Sequence, residues 1–291
     1  MVAEYTVLTG STAMAGGDGV PTAARLCILG GGKMGSALGM GLLESGILQP
    51  SDLLIVEKSD SKRNILSNDM PAGTVVVSEL SSVTSPLEGI VLAVKPDDLE
   101  DACASIRNLG YRSDRVLSIV AGVPINRIES LLPAAMPVIR SMPNTPALVG
   151  AAVSAIAPGE NCSEDDMAWC ERVLGAVGTT VRVKEGAMDA VTGLSGSGPA
   201  YIFLVAEALV EGGILMGLDR ETASLLVANT IFGSAKLWMD TGESPSTLRA
   251  RVTSPAGTTA AGLEALEIRA VRSAMIEAVR AATERSRSLG E

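Results

Sequence analysis

The residues with the clearest chemical meaning lie near the start of the chain. Leu26-Cys27-Ile28-Leu29 is a short apolar run that ends in Gly30-Gly31-Gly32-Lys33-Met34-Gly35, and a stretch rich in Ala, Gly and Leu follows from Ser36. The run reads as a buried strand and the stretch as a helix. Gly30-x-Gly32-x-x-Gly35 between them is the spacing of a dinucleotide-binding turn. Gly30 permits the tight turn, Gly32 lets a pyrophosphate approach the backbone, and Gly35 lets helix and strand pack closely. The first helical N–H groups, aided by the helix dipole, then face the phosphates. Leu29, Gly31, Lys33 and Met34 complete the candidate cradle. Glycines in this number also make plain tight turns, so the elements around them have to carry the reading.

A second apolar run ends at Glu57, 25 residues after Gly32. In a dinucleotide fold, an acid about 20 residues past the glycines accepts from the ribose 2′-OH and favours NAD. Lys58, Ser59, Lys62 and Arg63 follow directly and suit a 2′-phosphate, so NADPH and NADH both stay open. Residues 74–77, 90–94 and 116–120 are further strand candidates, and Pro96 is read as opening a helix through Leu99, Cys103 and Ile106. Strands alternating with short helices predict a parallel, doubly wound sheet with its ligand at the carboxyl ends of the strands. Gly30, Glu57, Lys95 and Ala121 all fall at such ends.

Residues 137–147 hold three prolines around Arg140 and Asn144 and read as a rigid loop after a strand. Residues 153–157 and 180–183 are strand candidates, and Ser163 followed by three acids marks a helix start. From Asp189 onward only helical periodicity remains. Ser197-Gly198-Pro199 opens a helix whose apolar stripe is Ile202, Val205, Leu209 and Ile214. A second helix covers about 220–239 and stops before Pro245, and a final amphipathic helix covers 271–289. Between them, Ser254-Pro255-Ala256-Gly257-Thr258-Thr259 precedes a helix over 260–267. Hydroxyls flanking helical N–H groups make a nest for a carboxylate or phosphate, although they also make an ordinary N-cap. The organisation read from this is residues 1–22 as a disordered extension or mis-assigned start, 23–186 as the dinucleotide-binding domain, and 187–291 as a helical domain. The small residues and apolar surface of that helical domain point to pairing with a second copy.

Composition narrows the chemistry. The 291 residues are 47% hydrophobic but only 2% aromatic, so the core is aliphatic. A net charge of −10 without a basic block argues against nucleic acid or an anionic membrane as partner. No run of about 18 uncharged apolar residues is evident, so no membrane span is expected. Residues 1–22 lack the basic start and apolar centre of a signal peptide. Cys27, Cys103, Cys162 and Cys170 form no C-x-x-C pair, which suggests reduced thiols and a cytoplasmic location. With no histidine in the chain, no metal site is expected and any mechanism works without imidazole.

The chain resembles the pyrroline-5-carboxylate reductase family over about residues 24–289. The resemblance rests on the glycine turn, Ala93-Val94-Lys95-Pro96, Arg140-Ser141-Met142-Pro143-Asn144-Thr145-Pro146, Gly193-Leu194-Ser195-Gly196-Ser197-Gly198-Pro199-Ala200-Tyr201, and Val252-Thr253-Ser254-Pro255-Ala256-Gly257-Thr258-Thr259. It implies reduction of 1-pyrroline-5-carboxylate to L-proline with NADPH or NADH, the last step of proline biosynthesis. It also implies an N-terminal Rossmann-type sheet, a C-terminal all-helical dimerisation domain, and an active site between one subunit's sheet and its partner's helices. The glycine turn, Ala93 to Pro96 and Ile119-Val120-Ala121 then line the cofactor, while Glu185 and the 254–259 loop lie near the substrate. Thr259, Glu185 and Ser254 are the candidate catalytic residues, with Ala256, Gly257 and Thr258 holding substrate. The imine nitrogen is either already protonated or takes its proton through the Thr259 hydroxyl or a water, an anionic Glu185 steadies an iminium, and Lys95 contacts the cofactor or braces its loop.

Two features depart from the family pattern. Ala256 stands where the family carries Gly, and residues 1–22 have no counterpart. Another Rossmann-plus-helical dehydrogenase is the alternative enzyme; it generally needs a Lys or His base in the helical half, where Lys236 is the sole lysine after Lys184. A non-catalytic nucleotide sensor is the other alternative, and it has no use for Glu185 or the hydroxyl loop.

Overall fold

The computed structural model describes residues 24–82, 86–110 and 113–290. The expected extension, residues 1–22, lies outside them. The first half runs β1 (Leu26–Leu29), α1 (Lys33–Glu44), β2 (Leu53–Val56), α2 (Asp60–Asp69), β3 (Val75–Val77), β4 (Gly89–Leu92), α3 (Leu99–Asn108), β5 (Val116–Ser118), α4 (Ile125–Leu131), β6 (Val138–Met142), β7 (Ala152–Pro158), α5 (Glu164–Gly175) and β8 (Gly178–Arg182). These strands form one sheet in the order β3-β2-β1-β4-β5-β6-β7-β8. Both faces are covered, which is why the strands are apolar without alternation. Cys27, Leu29, Leu54, Ile90 and Leu92 pack on one side with Cys103 and Ile106 of α3. Ile28, Leu53, Ile55 and Val91 pack on the other with Leu38 and Leu42 of α1 and Trp169 of α5.

The helix over α5 starts as its sequence predicts. Ser163 Oγ accepts from the Asp166 N–H and the Asp166 carboxylate accepts from the Ser163 N–H, a reciprocal cap. At the other end of the sheet, Gly30 has φ +110°. A Cβ on Gly35 would collide with the Gly30 carbonyl oxygen, so the close seating of α1 on β1 depends on that glycine.

Several expectations need correction. The sheet is not wholly parallel, because β7 runs antiparallel to β6. The link between them holds a 3₁₀ turn at Thr145–Val149 and no crossover helix, so the chain must reverse. Residues 137–147 are not simply a loop: β6 occupies the first part, and its Arg140 is buried in mid-strand. Pro96 opens a 3₁₀ turn, Pro96–Asp98, and α3 starts only at Leu99.

The second half is helical throughout: α6 (Met188–Val191), a π-helical turn at Thr192–Gly196, α7 (Gly198–Leu215), α8 (Arg220–Thr241), α9 (Pro245–Arg251), α10 (Thr258–Ile268) and α11 (Val271–Gly290). Pro245 does not merely follow a stop. Gly242 ends α8 in the left-handed conformation, then Ser244 caps Thr247 and Pro245 opens α9. The helix after the hydroxyl loop begins at Thr258, two residues earlier than expected. α7 and α8 pack together where an added Cβ on Gly213 would lie 3.2 Å from Ala223 Cβ.

The single stripe expected on α7 is not turned into this chain's core, since no α7 residue is buried. Phe203, Leu204, Leu226, Phe232 and Trp238 are each more than half exposed. The continuous helical run Glu185–Leu215 reaches a mean hydropathy of 1.4, enough by length and composition to cross a membrane, although no such span is expected from the sequence. A face of this kind needs a cover, either a bilayer or a second copy.

Two outcomes follow. Gly35→Ala is expected to lower stability by about 1–3 kcal/mol through overpacking, read from the denaturant midpoint. Sedimentation velocity is expected to show a dimer or larger assembly in the absence of detergent, and Phe232→Glu to shift it toward monomer. A monomeric parent protein would refute the second.

Candidate active site

The registers of β2, β1, β4 and β5 bring Val56, Leu29, Leu92 and Ser118 level at one edge of the sheet. Backbone bonds stitch the turns that leave it. Gly30 N–H donates to Val56 O, Ala93 N–H to Leu29 O, and Ile119 N–H to Leu92 O. The strand order reverses between β1 and β4, so the crevice of a doubly wound sheet lies between Gly30 and Ala93. Gly32 is the N-cap of α1; no side chain caps it and no acid occupies the first turn. A Cβ built on Gly32 would meet nothing within 4 Å. Uncapped N–H groups beneath open space fit a pyrophosphate. Lys33 is exposed beside them and Met34 is half-buried.

Glu57 stands at the ribose corner. Its Oε2 accepts from Gly31 N–H at 3.2 Å and its Oε1 from Ser59 N–H at 3.0 Å. Lys58 reaches away to Asp101 at 3.3 Å and Asp98 at 3.6 Å, and the Asp101 hydrogen bond leads in holding its ammonium above the ordinary range. Across the crevice, Lys95 and Pro96 are exposed and Ala93 and Val94 half-buried. The Lys95 side chain makes no hydrogen bond to a loop carbonyl among the described residues. Leu29 and Val120 are buried in the core, so they meet the crevice through backbone alone, while Ile119 and Ala121 reach it more openly. Ser118 Oγ accepts from Val120 N–H at 3.3 Å.

Glu185 joins the sheet to the helices. Its Oε1 accepts from Ile125 N–H at 2.6 Å, at the start of α4, and from Arg140 at 3.2 Å. Asn144 is a second tie: it donates to Ser195 O in the π turn and accepts from Val153 N–H. Arg140 and Asn144 carry no assigned role in the sequence reading. The signal for Arg140 was its place beside Val138 and Ile139 in an otherwise apolar run.

The hydroxyl loop lies on the helical half. Ala256 has φ +59°, the left-handed region that Gly adopts at little cost. Gly257 is the N-cap of α10 without a side-chain cap, and its N–H bonds Ser254 O at 3.1 Å. The hydroxyls of Ser254, Thr258 and Thr259 make no hydrogen bond among the described residues. α10 packs against α11. Within the chain no hydrogen bond or ion pair among the described residues links this loop to the sheet edge. The structure therefore gathers the glycine turn, Glu57, Ala93 to Pro96 and Ile119 to Ala121 at one edge, places Glu185 behind the loop that leaves β5, and leaves Ser254 to Thr259 apart. No group of three or more metal-binding side chains occurs among the described residues. A cleft of about 810 Å³ flanks the glycine turn over α1, and a largely apolar one of about 830 Å³ lies among Leu194, Tyr201, Phe203 and Met275.

Comparison with known proteins bears on both halves. A family model described as pyrroline-5-carboxylate reductase dimerisation matches residues 185–289, and one described as NADP oxidoreductase coenzyme F420-dependent matches residues 25–122. The first covers the exposed helices, so a second copy is the cover they need. Pyrroline-5-carboxylate reductase of Methanosarcina acetivorans is 42% identical over 92% of this chain and 98% of its own length. That of Mycobacterium tuberculosis is 39% identical over 91% and 97%. A structure of a pyrroline-5-carboxylate reductase from Coxiella burnetii superposes with a TM-score of 0.85 at 32% identity, covering 92% of this chain and 99% of that one. Plasmodium falciparum pyrroline carboxylate reductase with NADP bound gives 0.80 at 29%, covering 94% and 100%. Matched along nearly its whole length by such relatives, the chain belongs to the pyrroline-5-carboxylate reductase family.

Proposed function

We propose that this chain reduces 1-pyrroline-5-carboxylate to L-proline with NADPH or NADH, in an active site shared between two copies. The observation that carries this reading is the uncapped start of α10, with three hydroxyls that make no hydrogen bond and no link to the sheet edge of its own chain among the described residues. Residues 23–186 hold the dinucleotide, and residues 187–291 form the dimer and present the substrate loop to the partner's edge. The four free cysteines support a reducing, cytoplasmic setting.

The chemistry suits a chain without histidine. A bound reduced nicotinamide supplies a hydride to the imine carbon, and the imine nitrogen takes one proton, giving the amine. The N–H groups of Thr258 and Thr259 hold the substrate carboxylate at the positive end of α10, while Gly257, whose own N–H is bonded to Ser254 O, lets the ligand approach the turn. The Thr259 hydroxyl, or a water on it, holds the proton at the ring nitrogen, and Ser254 lines the same loop. Glu185 acts with its charge partly offset by Arg140: Oε1 is committed, while Oε2 has no hydrogen bond among the described residues. Its anchoring of Ile125 also fixes the loop from Ile119 to Pro124 that borders the crevice. Catalysis here is mainly positioning and electrostatics.

Thr259→Ala and Glu185→Gln are each expected to lower kcat/KM for pyrroline-5-carboxylate about tenfold or more, measured by loss of reduced-nicotinamide absorbance. Full efficiency in both would contradict the assignment. Ala256→Gly is expected to raise stability by about 0.5–1 kcal/mol by relieving the left-handed alanine, read as a higher denaturant midpoint.

A further inference from the structure

We propose that Glu57 makes this reductase select NADH over NADPH, by reading the 2′ position of the adenosine ribose. The proposal rests on the reading that the glycine turn holds the dinucleotide.

Glu57 is held from two sides. Its two oxygens accept from Gly31 and Ser59 N–H groups, so the carboxylate bridges the glycine turn and the start of α2. Both donors are backbone, and swinging the side chain away leaves two N–H groups unpaired, which is costly where they stay dry. A Cβ on Gly31 would strike Leu66 Cδ1 and lie 3.2 Å from Glu57 Cβ, so the bare glycine leaves room for both side chains. A carboxylate offers about four acceptor positions. Two are used here, which leaves two for a ribose diol.

A 2′-phosphate brings about two negative charges to the same corner and needs an available cation. Arg63 is committed to the turn itself. It donates to the carbonyls of Glu57 and Lys58 at 2.8 Å and pairs with Asp60. Lys58 is paired with Asp101 and Asp98, and the Ser59 hydroxyl with that of Ser61. The Lys58 pairs are exposed and therefore weak, so they alone do not decide the matter. The fixed Glu57 does, because a 2′-phosphate would have to sit against it. Lys62 has no ion pair among the described residues; it lines the cleft over α1 that Gly31, Gly32 and Lys33 also border, and Glu57 is not part of that lining.

The test is equilibrium binding to the full-length protein. NADH and NADPH are titrated by nicotinamide fluorescence, and 5′-AMP and adenosine 2′,5′-bisphosphate by calorimetry. NADH is expected to bind at least about tenfold more tightly than NADPH, a difference of about 1.4 kcal/mol, and 5′-AMP more tightly than the bisphosphate. Glu57→Gln should shrink both ratios, and Lys62→Ala should leave them unchanged. Circular dichroism checks that each variant folds; if Glu57→Gln does not, the parent ratios decide. Equal or tighter binding of NADPH, ratios unmoved in folded Glu57→Gln, or a loss of NADPH binding confined to Lys62→Ala overturns the assignment. Failure of all four probes to bind overturns the dinucleotide reading itself, and the proposal with it.

Discussion

The helical half cannot bury its own apolar surface, and much else depends on that constraint. α7 has no buried residue, and α8 buries only Ala223. Within one chain, Phe203, Phe232 and Trp238 stand in water, which is costly for side chains of that size. The dimerisation family to which these helices belong supplies the remedy, a second copy of the same surface. The same constraint explains why the hydroxyl loop stands apart from the sheet edge of its own chain. On the proposed reading, these helices carry the loop toward the partner, and pairing and assembly of the site are one event.

The sheet provides the fixed side. Level strand ends at Val56, Leu29, Leu92 and Ser118 set the floor of the crevice, and the bonds from Gly30, Ala93 and Ile119 hold its turns. Two ties then couple floor to helices. Arg140 with Glu185 fastens β6 to the first helical residues, and Asn144 fastens the turn after β6 to Ser195. Glu185 also caps the start of α4 through Ile125 N–H, so one carboxylate links the sheet, the loop after β5 and the helical half.

Much of the fold could be read from local signals. Apolar runs such as Leu53 to Val56 needed no partner information, and Gly30 to Gly35 carried both a turn and its chemistry. Ser163 with Asp166 announced a helix start. What stayed hidden depended on distant residues. β6 was obscured because Arg140 looks like a surface residue until Glu185 arrives from 45 positions away. α9 was obscured because Pro245 serves equally as a stop and as a first-turn residue. The left-handed Ala256 runs against the preference of its own side chain, so only the family pattern pointed to it. At the ribose corner, the types of Glu57, Lys58 and Arg63 left the cofactor undecided. The proposed choice of NADH rests on Glu57 being held by the Gly31 and Ser59 N–H groups, and the tie to Gly31, 26 positions away, does not show in residue types.

The central claim is that each active site takes its glycine turn from one copy and its hydroxyl loop from the other. Subunit mixing tests it most directly. A Gly32→Asp variant, with an acid at the pyrophosphate approach, is unfolded and refolded together with Thr259→Ala, and reduction of pyrroline-5-carboxylate is followed. Mixed dimers then contain one site built from two intact halves, so activity should rise well above that of either variant refolded alone, toward roughly a quarter of the parent for random pairing. Activity no greater than the average of the separate variants, with mixed dimers shown to have formed, would mean that each chain builds its site alone.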